Sequence, residues 1–301
     1  VEALPGLNAY DRHLINELRG YSYARLNNYG EAARALEAGL SSGFLEQSEV
    51  PTRVKALTQL YYQVKNYDKA IEYGNRAIKG GYADDDIQTS VGQAYYVKGD
   101  YTNARRFFDA YVDAQIQRGQ TPKELALQLA MSSCLKLKNN ACTTAALERL
   151  VAYYPKTEYW QNLMYTMFQT LDPADRDSNA VLLHVYRLAS EVDVLRTEDY
   201  TEMAWLAKDL GSPGEAQRVL EKGIDKKVFK DQRELERNKR LLEAAKRDAS
   251  TDQKTLSKDE AVAKASPTGD KDVSLGLAYL SYQQYPKAVE AISRGLKKGG
   301  V

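Results

Sequence analysis

The chain has 301 residues, with 42 Lys+Arg against 41 Asp+Glu, 43% hydrophobic residues and 28% charged residues. This balance excludes simple disorder, and no apolar run reaches the roughly 18 residues that a membrane-spanning helix needs. A net charge of +1 without a basic block predicts no nucleic-acid partner. The 2 His and 2 Cys are too few for a metal site built from such ligands.

Along the chain, the same arrangement of tyrosines and alanine occurs four times. The first tyrosine precedes the alanine by nine residues and the second precedes it by three, in Tyr23–Tyr29–Ala32, Tyr61–Tyr67–Ala70, Tyr95–Tyr101–Ala104 and Tyr279–Tyr285–Ala288. A small or short residue stands twelve before each alanine, as Gly20, Thr58, Gly92 and Gly276. Small residues in register with bulky ones, on either side of a short polar turn, predict two closely packed antiparallel helices.

Weaker copies of this helical hairpin fill the rest of the sequence. Leu129–Cys134 with Thr143–Tyr154 forms one, and Ala216, after the turn at Leu210–Gly214, marks another. The gaps from Thr144 to Ala216 and from Ala216 to Ala288 are both 72 residues, and each has room for one more hairpin. In chain order the eight predicted hairpins are 11–42, 51–82, 85–118, 121–154, 156–192, 197–227, 231–266 and 269–299.

The seventh hairpin is the most charged part of the chain. It is predicted as two helices, Arg233–Ala249 and Thr255–Ser266, with a mobile loop at Ser250–Asp252. An interaction arm is the alternative. Mixed charge around an apolar stripe favours an ordinary helix against its neighbours.

The pattern resembles the tetratricopeptide repeat, a family whose hairpins repeat every 34 residues, the distance from Ala70 to Ala104. The resemblance implies an all-α fold: a right-handed superhelical solenoid of stacked antiparallel hairpins, here one domain over 1–301. Tyr153–Lys156 running into Tyr159–Leu163 is similar to exported bacterial proteins with several such repeats. Because no polar capping helix covers the last apolar face, we expect the natural chain to continue past residue 301.

Catalytic signatures are weak, so we expect no enzyme activity, no cofactor and no metal. Gly39–Gly43 matches G-x-S-x-G, but it follows a helix, whereas a nucleophile elbow needs a preceding strand. His13 and His184 are isolated and are predicted to be ordinary helix residues. Asp84–Asp86 is either a metal site or, as the favoured interpretation, the cap of a helix starting near Ile87.

The resemblance also suggests where a partner binds, because first helices line the concave surface in this family. The residues that it places there are Tyr21, Arg25, Lys55, Gln59, Tyr62, Gln93 and Tyr96. Rings and amides suit an extended peptide. The alternative is that several of them are buried between hairpins, or that the protein's own termini occupy the groove. The repeated tyrosines Tyr23, Tyr61, Tyr95 and Tyr279 are predicted to be structural instead.

Two functions remain open. The first is a noncatalytic scaffold that binds a partner's peptide or helix in the concave groove. The second is an accessory or assembly domain of a bacterial envelope biosynthesis or secretion complex whose enzyme lies outside this chain. A carboxylate-clamp co-chaperone is disfavoured, because Glu17 and Tyr21 stand near the places where that clamp has Lys and Asn.

The two cysteines bear on the compartment. Cys134 and Cys142 lie four residues either side of Lys138, near the turn of the fourth hairpin, which brings them close enough for a possible disulfide. The alternative is a pair of small core residues. A disulfide favours a periplasmic or otherwise exported protein, and free thiols a cytoplasmic one.

Overall fold

The computed structural model describes residues 6–171 and 176–300, apart from the side chains of residues 176 and 177. These residues contain fifteen α-helices and no strand, so the fold is all-α. The chain forms two compact units, residues 1–159 and 160–301, where the sequence predicts one array. No helix in the described ranges combines the length and the apolarity that crossing a membrane requires.

The first unit consists of helices that pack on one another in chain order. They are α1 (Ala9–Arg25), α2 (Tyr29–Ser41), α3 (Val50–Gln63), α4 (Tyr67–Lys79), α5 (Asp85–Val97), α6 (Tyr101–Gln117), α7 (Glu124–Lys136) and α8 (Asn140–Tyr153). The odd-numbered helices are the first helices of four hairpins. First helices also contact each other, since α3 touches α5 and α5 touches α7.

Three residues separate the two helices of each of these hairpins. In the second one, Lys65 is left-handed, with φ of 60°, and Asn66 N–H donates to the carbonyl of Tyr61 at 2.9 Å, which satisfies the end of α3. The Asn66 side chain then accepts from Lys69 N–H at 3.3 Å and caps α4. Asn27, Gly99 and Lys138 are left-handed at the same place in the other three hairpins.

The predicted small residues lie where helices approach most closely. Ala32, Ala70 and Ala104 are completely buried. A Cβ added at Gly74 on α4 would lie 2.1 Å from a methyl group of Val91 on α5. Only a residue without a side chain allows this approach, so the glycine belongs to the packing between hairpins.

The second unit begins within α9 (Thr157–Thr170) and contains six further helices. They are α10 (Arg176–Glu191), α11 (Thr197–Asp209), α12 (Pro213–Asp225), α13 (Gln232–Ala265), α14 (Asp270–Ser281) and α15 (Tyr285–Lys298). From α10 onward each helix packs on the next, and α12 also touches α14. Apart from α13, the helix pairs of both units begin and end within three residues of the predicted hairpins.

The seventh hairpin does not exist, because α13 is one uninterrupted helix of 34 residues. The predicted loop at Ser250–Asp252 lies inside it. No Gly or Pro occurs between Gln232 and Ala265. The hydroxyl of Thr251 bonds the carbonyl of Arg247 at 3.0 Å, within the helix. Ser, Thr and Asp without a glycine or proline are therefore too weak to end this helix.

Candidate partner-binding surface

The left-handed turn residue provides a common register for the first helices. The position six residues before it lies four residues before the end of each first helix, and in the predicted register it faces away from the partner helix. The residues at this position are Tyr21, Gln59, Gln93 and Ser132 in the first unit, and Trp205 and Leu277 in the second.

On α1, the two predicted residues are both exposed and contact each other. Tyr21 is 62% exposed. Arg25, one helical turn later, donates to the Tyr21 hydroxyl at 2.8 Å, and its guanidinium lies 5.2 Å from the centre of the ring. The pair presents an aromatic ring and a positive charge to solvent, which suits recognition of a peptide.

On α3, the three predicted residues differ from one another. Gln59 is exposed and has no recorded side-chain bond within the described chain. Lys55 instead forms an ion pair with Asp84 at 2.8 Å. Tyr62 is half-buried, packs edge-on against Tyr67 and donates to the Gln93 amide oxygen at 3.3 Å.

On α5, Gln93 therefore accepts from the preceding hairpin, and Tyr96 bonds the following one. The Tyr96 hydroxyl lies 2.7 Å from the Ser132 hydroxyl on α7, and its ring packs edge-on against Tyr101. Continuing this series, Gln128 on α7 donates to the Tyr159 hydroxyl at 2.6 Å. First helices are thus joined by a ladder of side-chain hydrogen bonds.

Ion pairs run beside this ladder. They join consecutive hairpins as Lys55–Asp84 at 2.8 Å, Lys123–Asp85 at 3.0 Å and Lys156–Glu124 at 2.5 Å. Asp84 also caps α5 by accepting from Ile87 N–H at 3.0 Å. The bond from Lys55, with the cap, lowers the pKa of Asp84. In the described residues no group of three or more His, Cys, Asp or Glu could hold a metal ion.

Three of the seven predicted residues are therefore open to a partner: Tyr21, Arg25 and Gln59. The other four, Lys55, Tyr62, Gln93 and Tyr96, already bond neighbouring hairpins. A partner that used their polar atoms would have to replace those bonds. Partner binding through any of the seven remains a prediction.

Glu17 has a structural partner on α3. Arg53 donates to both of its carboxylate oxygens, at 2.6 Å to Oε1, and also reaches the carbonyl of Leu36 at 3.3 Å. A bidentate pair of arginine and carboxylate is among the stronger charge-assisted contacts. Glu17 therefore anchors α1 to α3, at the place where a carboxylate clamp would need a positive charge.

Of the repeated tyrosines, Tyr61 and Tyr279 are buried, as predicted, whereas Tyr23 and Tyr95 are half-buried. Tyr61 is 4% exposed and stacks on Tyr73, with ring centres 5.8 Å apart. Its hydroxyl donates to the Glu37 carboxylate, which also accepts from Tyr73 at 2.7 Å and from Lys69 at 2.6 Å. Tyr279 is equally buried and donates to Glu260 at 3.0 Å.

The serine-rich string at Gly39–Gly43 places a serine against a histidine. Ser42 Oγ lies 2.9 Å from Nδ1 of the buried His13. The same hydroxyl donates to the carbonyl of Gly39 at 2.7 Å, so its proton is already used and it accepts from the imidazole. The pair ties the end of α2 to α1.

Two exposed features were missed by the sequence analysis. Trp205 on α11 is 57% exposed and stands six residues before the left-handed Gly211. Leu14 and Leu18 on α1 are exposed on the same side as Tyr21. Trp205 could have been predicted from the turn Leu210–Gly214, because it stands six residues before Gly211, the same distance that separates Tyr21 from its turn residue Asn27.

The two cysteines form a disulfide across the fourth hairpin. Cys134 on α7 and Cys142 on α8 have their Cα atoms 5.5 Å apart, on either side of the left-handed Lys138. Cys134 is buried. The bond joins the two helices beside their turn.

Comparison with known proteins gives the family of the first three hairpins. The tetratricopeptide repeat model matches residues 17–86 and 55–118. No curated protein matches the chain. Many solved chains have a detectable likeness to it. A tetratricopeptide repeat protein from Parabacteroides merdae has a TM-score of 0.41 and 12% identity, over 96% of this chain and 93% of that one.

MamA from Desulfovibrio magneticus has a TM-score of 0.39 and 14% identity, over 61% of this chain and 96% of that one. The TPR2AB domain of yeast Sti1, in its complex with pHSP90, has a TM-score of 0.34 and 14% identity, over 83% of this chain and 91% of that one. Sequence identities and TM-scores this low do not indicate a shared function. The family match and the repeated hairpin geometry together identify residues 17–118 as tetratricopeptide repeats.

Proposed function

We propose that this protein is a noncatalytic scaffold that binds a peptide or helix of a partner protein on its first helices. The observation that carries the proposal is the exposure of large aromatic residues at one register position in each unit. Tyr21 in the first unit and Trp205 in the second are more than half exposed, although each stands within a helix, four residues before its end. Exposed aromatic side chains offer a large contact area at low entropic cost.

The surroundings of Tyr21 support the same proposal. Leu14 and Leu18 extend its ring into an apolar stripe, with spacings of four and three residues along α1. Arg25 adds a positive charge at one end. A stripe of this spacing with a flanking charge fits an amphipathic segment that carries an acidic residue.

Selection of peptides from a random display library against the intact chain tests the proposal. We expect enriched peptides to share apolar or aromatic anchors and to bind more weakly when Tyr21 or Trp205 is replaced by Ala, by about tenfold or more for an anchor. Arg76→Ala, at an exposed position on α4, is the matched control. Enriched peptides that bind all three variants as they bind the wild type would contradict the proposal.

The disulfide supports a second proposal, on the compartment. A bond between Cys134 and Cys142 persists in an oxidising environment such as the periplasm. An assembly role in a bacterial envelope complex is compatible with that environment and with a scaffold of helical repeats. Fractionation of the native host, with this protein followed by antibody, tests it, and recovery in the cytoplasm alone would overturn it.

A further inference from the structure

The second unit contains a polar cleft that the proposed function does not use. It lies between α10 and α12, beside the turn that joins α14 to α15, and its volume is about 320 Å³. Three cationic side chains line it: Arg187 from α10, and Arg218 and Lys222 from α12.

Among the described residues, Arg187 is the one cation of the three that forms an ion pair with a carboxylate. Arg187 donates to both oxygens of Glu215, from Nε at 2.7 Å and from Nη2 at 2.5 Å. Glu215 is buried, so the two charges neutralise each other inside the protein. This carboxylate is therefore occupied by its own partner.

The other two cations bond only uncharged oxygen atoms in the described part of the chain. Arg218 donates to the carbonyl of Ser281, and Lys222 donates to the carbonyl of Ser190 at 2.9 Å and to its hydroxyl at 3.1 Å. Burial lowers the pKa of Arg218, although a guanidinium stays charged at neutral pH. Its positive charge is thus partly desolvated and forms no direct ion pair among the described residues, although the charge of Glu215 stabilises it from a distance.

The other residues that line the cleft strengthen the attraction of these cations for an anion. Met203 and Val219 are 2% and 6% exposed and give the cleft an apolar part, where electrostatic interactions are stronger than in water. Gln283 adds an amide group. Glu191 is the remaining carboxylate of the lining and is exposed to solvent, which screens its charge.

Arg218 is held in place by the contact between α12 and α14. Glu215 N–H donates to the Ser281 hydroxyl at 3.1 Å, at a buried position. A Cβ added at Gly214 would lie 2.8 Å from the Ser281 carbonyl oxygen, so the two helices meet backbone to backbone. A side chain fixed in this way loses little entropy when a ligand binds.

We propose that the cleft binds a small oxyanion with two or more negative charges, of the phosphate or polycarboxylate class. Its bonds come from Arg218 and Lys222, with Gln283 as an additional donor. The cleft is concave and of small-molecule size, which favours a free anion over an acidic protein surface. The cations of this site lie on α10 and α12, which are second helices and carry none of the residues proposed to bind the partner peptide.

Isothermal titration with inorganic pyrophosphate and with citrate tests the proposal, at an ionic strength held constant with NaCl. We expect saturable binding of at least one anion at one site per chain, and the two titrations separate the phosphate from the carboxylate class. Arg218→Met and Lys222→Met should each weaken binding at least tenfold. Lys226→Met is the matched control, because Lys226 pairs with Asp193 outside the cleft lining.

Each variant is first checked for its unfolding midpoint. If Arg218→Met does not fold, Lys222→Glu decides the question, since it reverses the charge of a side chain that reaches the cleft from the last turn of α12. Binding that is absent for both anions, or that Lys222→Glu and Lys222→Met leave unchanged, would overturn the proposal.

Discussion

The hydroxyl of Tyr61 on α3 donates a hydrogen bond to the carboxylate of Glu37 on α2, between the first and second hairpins. One of the repeated tyrosines is therefore more than an apolar filler. Its ring occupies the space between hairpins, and its hydroxyl helps to neutralise a half-buried carboxylate. Tyr73 and Lys69 on α4 bond the same carboxylate, so three helices meet at one acidic side chain.

The two parts of Tyr61 should contribute separately to stability. Tyr61→Phe removes one hydrogen bond and should lower the free energy of unfolding by about 0.5–1.5 kcal/mol. Tyr61→Ala also leaves a cavity and should cost about 3–5 kcal/mol. Urea unfolding measures both values. Tyr165→Phe, at an exposed position, is the control, and a Tyr61→Phe cost equal to that of the control would contradict this role.

The Glu37 cluster should also make stability depend on pH. Burial raises the pKa of Glu37, but the hydrogen bonds from Lys69, Tyr61 and Tyr73 outweigh it, and the net pKa lies below its ordinary value of 4.5. The ionised carboxylate is therefore favoured by folding. Its contribution is present above pH 4.5 and is lost as the pH falls through the lower pKa of the folded state.

Comparison of the wild type with Glu37→Gln at several pH values measures this contribution. At pH 7 the substitution should cost about 1–3 kcal/mol, and the difference should shrink as the pH falls below 4.5. In a Tyr61→Phe/Tyr73→Phe background the same comparison should give a flatter pH profile. A difference between wild type and Glu37→Gln that is constant from pH 7 to pH 3 would show that the carboxylate's charge does not contribute.

The sequence predicted most of the first unit because its packing repeats. Ala32, Ala70 and Ala104 recur at one register, and a residue needed at every interface leaves a periodic trace. The hydrogen bonds of Tyr62 and Tyr96 leave no such trace. They depend on Gln93 and Ser132, which differ between hairpins. The periodicity of the sequence thus predicted where the helices lie. Which side chains are free to bind a partner could be seen only in the structure.

Two features of the second unit were harder to predict. The helix α13 replaces a hairpin, because Ser250–Asp252 continues the helix instead of ending it. The two 72-residue gaps are equally long, so their length alone did not show that one of them holds a single long helix in place of a hairpin. Trp205 was not predicted as a binding residue, because its hairpin lacks the two repeated tyrosines that identified the clearest hairpins.

The disulfide can be tested directly. Thiol titration of denatured, unreduced protein should find no reactive thiol, and reduction should release two. Reduction should also lower the free energy of unfolding by about 2 kcal/mol, as expected for a short closed loop. A Cys134→Ala/Cys142→Ala variant is the control and should not respond to reductant. Two reactive thiols before reduction would contradict the bond.

The first unit should fold without the second. Residues 1–159 form a compact unit in which each helix packs on its neighbours in the chain. In such arrays stability comes from the repeats and from their nearest-neighbour contacts. A fragment of these residues should give a helical circular dichroism spectrum and a cooperative urea transition. A spectrum without helix would show that the second unit is needed.

Two glycines on second helices offer a matched pair of substitutions. A Cβ added at Gly214 on α12 would lie 2.4 Å from the ring of Tyr282 and 2.8 Å from the Ser281 carbonyl oxygen. The backbone atom cannot move as a flexible side chain would, so α12 and α14 must separate. Gly214→Ala should therefore lower the free energy of unfolding by about 1–3 kcal/mol.

At Gly30 on α2 an added Cβ would meet no atom within 4 Å. Gly30→Ala should raise the free energy of unfolding by up to about 1 kcal/mol, because alanine loses less backbone entropy than glycine in a helix. Urea unfolding of both variants beside the wild type gives the two differences. Opposite signs are expected, since the same added methyl group meets a crowded site in one helix and solvent in the other. A Gly214→Ala variant as stable as Gly30→Ala would show that α12 and α14 are not in backbone contact.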